Sequence, residues 1–255
     1  MATFDSFQNI LPDPNNLIVP SLGAEPESGL TGFAGPGYAS VQLTSEQPLM
    51  RDRTNSGKLL ARSIVGHKWK IAIKYNPMTQ DIFNRVYSFL LQRNALDPFF
   101  VSLPQHKVPA NSSFATYVSG RHAASNAVQL QSNGAIAAGA KQALLDNSGT
   151  YTNANGQPFP GDIFTVNDSG NSNHKKVYMI TRVETSSYYL QGTTAVIANQ
   201  IRISFFPGLA ASVGDNQRFE FHDVKFRVVP TSDTQQYSLN PNNLYEYSLN
   251  LEEAQ

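Results

Sequence analysis

The sequence holds no cysteine in 255 residues. That excludes a disulfide framework, a thiolate zinc site, an iron–sulfur cluster and a cysteine nucleophile, and it leaves the redox compartment open. Charge is scarce too: charged residues make up 15% of the chain, against roughly 25% in an average soluble domain. The 19 basic and 19 acidic residues cancel, so the chain lacks the global electrostatic footprint of a nucleic-acid-binding protein. No stretch approaches the roughly 20 apolar residues that span a bilayer. The start, Met1-Ala2-Thr3-Phe4-Asp5, has no basic region followed by an apolar core, so a soluble product made in a cytoplasm is expected. Without export, the glycosylation patterns at Asn111-Ser112-Ser113 and Asn167-Asp168-Ser169 carry no meaning.

Uncharged polarity takes the place of charge. There are 22 Asn, 16 Gln and 24 Ser beside 15 Phe and 11 Tyr. Many amides, many aromatics and little charge suit β-rich surfaces that meet other protein surfaces, which favours a building block over a cytoplasmic enzyme.

Residues 1–37 read as an irregular extended arm. Pro12, Pro14, Pro20, Pro26 and Pro36 break any ladder, yet Phe4, Phe7, Ile10 and Leu11 add more apolar mass than a disordered linker carries. An arm of this kind gains order by lying across a partner, so these four residues are candidate subunit contacts. From Tyr38 the pattern turns to period two. Val41 and Leu43, with Leu49 as a possible extension, mark one strand, and Lys58 to Ile64 a second. His67 to Tyr75 alternates strictly, Trp69, Ile71, Ile73 and Tyr75 against Lys68, Lys70, Ala72 and Lys74, as a strand with one buried face must. The row Lys68, Lys70 and Lys74 is a further candidate contact, toward phosphates or the acidic groups of a neighbour.

After Asn76-Pro77 a helix is predicted over 79–93, with Thr79 as N-cap, Asp81 in its first turn and Ile82, Phe83, Val86, Phe89 and Leu90 at helical spacing. It is the one helix expected. Trp69, Ile71, Ile73, Phe83, Val86, Phe89, Phe99 and Val101 form the expected core between helix and sheet. Residues 105–160, rich in Ser, Asn, Ala and Gly, give short strands around Val128, Leu130 and Ile136, and a turn of helix at Leu144-Leu145. Further strands are expected at Asp162 to Val166, Val177 to Val183, Ile197 to Phe206, Gln217 to Val229 and Leu244 to Leu251.

No catalytic constellation emerges. The histidines at 67, 106, 122, 174 and 222 each stand alone and read as exposed, and His222 and Asp223, as neighbours on a strand, point to opposite faces. There is no Gly-x-Ser-x-Gly elbow and no phosphate loop. Catalytic, cofactor and metal residues are therefore expected to be none.

One order of motifs is specific. The Trp69 strand runs into Asn76-Pro77-Met78-Thr79, then a helix, then Phe99-Phe100 and Leu103-Pro104. Later come Pro160-Gly161-Asp162-Ile163-Phe164-Thr165-Val166, the Tyr178 strand, Ile201 to Phe206 leading into Pro207-Gly208-Leu209, and a closing strand from Tyr245. This resembles the tail structural proteins of tailed bacteriophages, the distal-tail and baseplate-hub group, over about 58–104 and 158–253. The alternation and this resemblance together give the expected fold: mainly β, an antiparallel β-sandwich or barrel, tail-tube-like, with one α-helix packed on it, an extended N-terminal arm and an inserted or second small β region. The arm at 1–37 and the stretch 105–157 are departures from that group. The expected division is 1–37, then 38–104 plus 217–255, with 105–216 inserted.

The implied function is non-enzymatic. It is a homo-oligomeric, hexameric ring in the virion that joins the tail tube to baseplate or fibre proteins, needs no cofactor or membrane, and meets DNA only by its passage through a lumen. The alternative is a carbohydrate-binding β-sandwich, a host-receptor module, which requires exposed aromatics clustered on one face. A cell-wall hydrolase comes third, since it would need paired carboxylates or a metal cluster.

Overall fold

The computed structural model describes residues 10–14, 36–63, 66–93, 97–124, 127–147, 150–168, 175–188, 196, 198–232 and 234–254. Among these lie fourteen strands and two α-helices: β1 Tyr38–Glu46, β2 Leu49–Arg53, β3 Leu59–Ser63, β4 Lys68–Tyr75, α1 Gln80–Leu91, β5 Phe99–Ser102, α2 Ser112–Ala123, β6 Leu130–Ser132, β7 Gln142–Asp146, β8 Ile163–Asn167, β9 Val177–Glu184, β10 Gln200–Phe206, β11 Arg218–Glu220, β12 Lys225–Pro230, β13 Tyr237–Leu239 and β14 Tyr245–Glu253. The fold is mainly β, as expected. The chain divides into two compact units, 1–101 with 227–255, and 102–226.

The first unit is built on a sheet in the order β1-β4-β14-β12-β5, with β13 added to β14. Strand β4 runs between β1 and β14, with Trp69, Ile71, Ile73 and Tyr75 buried and the lysines facing the other way. Helix α1 closes that apolar face with Phe83, Val86, Phe89 and Leu90. A two-rung contact pins its start: Met78 donates to the Tyr245 carbonyl at 2.9 Å and Tyr245 donates back to that of Met78 at 2.8 Å. Thr79 stands at the N-cap, but its side chain makes no capping bond. Phe83 stacks on Tyr245 at 4.4 Å, and Phe89 meets Phe99 edge-on at 5.5 Å. All eight expected core residues are buried.

The second unit is a closed barrel, β10-β7-β6-β11-β8-β9. Closure leaves no free edge, and the interior is filled by aromatic rings. Phe164 stacks on both Tyr178 and Phe219 at 5.4 Å and meets Phe205 edge-on.

Four expectations need correction here. Leu144 and Leu145 belong to strand β7, with Leu145 facing the barrel core, because alternation with Gln142 and Asp146 outweighs a two-residue helical hint. The stretch 105–157 holds a second helix, α2, capped by Asn111, whose side-chain oxygen accepts from the backbone of Ser113 at 3.1 Å. The run Gln217 to Val229 is two strands in two different sheets, broken at His222–Asp223, where Asp223 adopts φ 49°. Hence β11, expected within 217–255 of the first region, is a barrel strand.

Candidate assembly surface

The expected arm contacts divide. Phe4 and Phe7 lie outside the described residues. Ile10 and Leu11 do not reach outward: they are 9% and 0% exposed. Ile10 bridges to Phe100, the Leu11 N–H donates to the Phe100 carbonyl at 2.8 Å, and the Tyr75 hydroxyl donates to the Pro12 carbonyl at 3.4 Å. Asp13, 1% exposed, completes this short docked segment. Prolines on both sides hold the chain extended, and its own sheet supplies the surface on which it lies. Ile10 and Leu11 are core residues, so they are withdrawn as subunit anchors.

The lysine row is largely neutralised within the chain. Lys70 pairs with Glu46 at 2.9 Å and Lys68 with Glu252 at 3.5 Å, from β1 and β14 on either side of β4. Lys74 is exposed. It forms no ion pair among the described residues. The face carries mixed charge rather than a cationic stripe, and exposed pairs of this kind contribute little stability.

The strand expected at Lys58 to Ile64 is β3, and it pairs with a separate strand β2 in a hairpin, where Leu49 was expected only to extend the first strand. This hairpin lies between the paired ends of β1 and β4, Glu46 and Lys68, and among the described residues it pairs with no other sheet. Its register sets Leu49 opposite Ser63, Met50 opposite Arg62, Asp52 opposite Leu60 and Arg53 opposite Leu59. Met50 and Leu60 therefore share one face, and Leu49 and Leu59 the other. These four side chains are 61%, 50%, 41% and 54% exposed, respectively. The tip is well built: Gly57 supplies φ 80°, Thr54 donates to the Lys58 carbonyl at 3.0 Å, and Lys58 donates to the Thr54 hydroxyl at 3.1 Å. Arg51, Arg53, Lys58 and Arg62 outnumber Asp52. Because the whole chain is neutral, the rest of it carries the opposite excess. The signal was legible: Leu49-Met50 and Leu59-Leu60 flank a charged run and an Asn55-Ser56-Gly57 turn.

Of the histidines expected to be exposed, His122 is exposed, whereas His67, His106 and His222 are not. His67 is buried, joined to the Ser45 hydroxyl at 2.9 Å and edge-on to Trp69 at 4.8 Å. His122, in the last turn of α2, stacks on His222 at 4.4 Å between ring centres. Burial lowers the His222 pKa first, then the neighbouring His122 and Lys107, with Asp223 opposing. His106 is likewise lowered by burial, with Asp162 opposing. His174 lies outside the described residues. Among the described residues no three His, Asp or Glu side chains converge on a metal position.

No protein-family profile matches the chain. A curated relative does: the distal tail protein pb9 of Escherichia phage T5 is 28% identical over 228 residues, covering 87% of this chain and 94% of that protein. At 87% of this chain the match is too long to lie within either unit alone. This chain therefore resembles a tailed-phage distal tail protein over most of its length.

Proposed function

We propose that the chain is a structural, non-catalytic subunit of a phage tail, assembling as a ring at the distal end of the tail tube and joining the tube to baseplate or fibre proteins. The tail role rests on the similarity to a distal tail protein. The observation that supports assembly is the β2–β3 hairpin. A two-stranded hairpin alone is marginally stable in water, and this one shows large apolar side chains on both faces. A partner that covers both faces removes that cost. The partner is a neighbouring copy, because the hairpin's basic excess is matched by the acidic excess elsewhere on the same neutral chain. Such a contact is heterologous, one patch of a subunit meeting a different patch of the next, and repeating it around an axis closes a ring. In this reading the ring is hexameric, resides in the virion, and meets DNA only as it passes along the lumen.

Electron microscopy of the purified full-length protein tests the reading, together with antibody labelling of virions of the phage that encodes it. Rings with a central opening and label at the tail tip are the expected results. Label on the capsid, or a protein that remains monomeric at every concentration, would overturn it.

A further inference from the structure

We propose that the outer face of the barrel binds a sugar ring bearing one anionic group, a carboxylate or a phosphate. Strands β7, β10 and β9 lie side by side there, and Gln142, Ser204 and Arg182 form one cross-strand row. The register slips immediately beyond Ser204, where Phe205 pairs with Ile180 and leaves Thr181 as an extra residue on β9. A bulge of this kind turns two successive side chains to one face and opens the pleat. The result is a depression of about 350 Å³ lined by Lys141, Gln142, Thr181, Arg182, Ser204 and the paired Phe205–Phe206.

The lining specifies the ligand. Lys141 and Arg182 line the depression, and among the described residues no carboxylate lines it, so an anion is favoured. Arg182 is held from behind: Glu184, 2% exposed, pairs with Arg182 at 2.8 Å and with Arg202 at 3.0 Å. A buried carboxylate shared between two guanidiniums fixes their orientation, so Arg182 meets a ligand already positioned. Cations alone would satisfy a bare phosphate. Here the hydroxyls of Thr181 and Ser204 and the amide of Gln142 add neutral donors and acceptors. The half-buried Phe206 adds an aromatic surface, whose negative face suits the C–H side of a sugar ring. A depression near the low end of the 300–1,000 Å³ that ligand pockets occupy admits roughly one such ring. The proposal is independent of ring assembly, since one copy contains the whole site.

Amide shifts of the isotope-labelled full-length protein should be followed by NMR during titration with glucuronate, glucose 6-phosphate, glucose and inorganic phosphate at constant ionic strength. Saturable shifts at Gln142, Thr181 and Ser204 with either anionic sugar are expected, the tighter of the two naming the anion. Glucose and inorganic phosphate should each bind at least tenfold more weakly. Lys141→Glu, at an exposed position, should weaken the anionic sugar at least tenfold and leave the glucose response unchanged. The proposal fails if no saturable shift appears at these residues, if glucose binds as tightly as glucuronate, or if inorganic phosphate matches glucose 6-phosphate.

Discussion

Leu11 and Phe100 are joined backbone to backbone at 2.8 Å, with the Leu11 side chain fully buried. The segment around Leu11 thus belongs to the protein's own core, and removing it should expose apolar surface on the sheet. Leu11→Ala should cost about 2–5 kcal/mol, the range for a large-to-small change at a buried site. Deleting residues 2–20 should lower the melting temperature markedly as well. Chemical denaturation of the variants checks this; unchanged stability would return the arm to the surface.

His122 and His222 give a second prediction, and its sign follows from the cause. Burial and the neighbouring His122 and Lys107 depress the His222 pKa in the folded state, against the single opposing carboxylate of Asp223. The unfolded chain, with an ordinary histidine near 6.5, therefore takes up the proton first as pH falls. The stabilisation is present above that value and is lost as pH drops toward the folded pKa. His106 is shifted the same way and adds to the loss. NMR titration should find His222 below the ordinary value and rising in His122→Gln. An unmoved His222 in that variant would show that the stacked ring does not act on it.

Asn111 caps α2 through bonds to Ser113 and Phe114. Asn111→Ala should cost about 0.5–2 kcal/mol, read from the unfolding of a helix that buries only Phe114 and Val118. No change would mean that packing of those two residues holds the helix without its cap.

Phe89 touches Phe99 edge-on, and the Arg93 guanidinium lies 4.7 Å from its ring centre. Phe89→Ala should cost about 3–5 kcal/mol. A loss below about 1 kcal/mol would contradict burial between helix and sheet.

The parts of the fold that were legible in sequence are those where one residue type alternates against another. Strand β4 and helix α1 each bury a single apolar face, and their periods state it directly. Helix α2 was missed because its buried side consists of Phe114 and Val118 alone, set among Ser, Thr, Ala and Gly. The split of 217–229 was missed for a different reason. Phe219, Phe221, Val224, Phe226 and Val228 are all buried, so the run stays apolar throughout, and only a one-residue slip of phase between Phe221 and Val224 marks where the chain leaves one sheet for another. The stacking of His122 on His222 joins positions one hundred residues apart in sequence, and no local pattern reports such a contact. The hairpin was written in the sequence, but its exposure was not, since Leu49, Met50, Leu59 and Leu60 look like core residues until the topology leaves them without a second layer.

Assembly through that hairpin is the claim most open to direct measurement. Met50→Lys combined with Leu60→Lys replaces two exposed side chains on one face. Surface changes of this sort shift folding stability by only about 0.5 kcal/mol, so the monomer should keep its melting temperature. Sedimentation velocity of both proteins over the same concentration series decides the matter. The wild type should sediment as a closed oligomer and the double variant as a folded monomer. A double variant that forms an oligomer of the same mass, or a wild type that stays monomeric throughout, would contradict the hairpin-mediated ring.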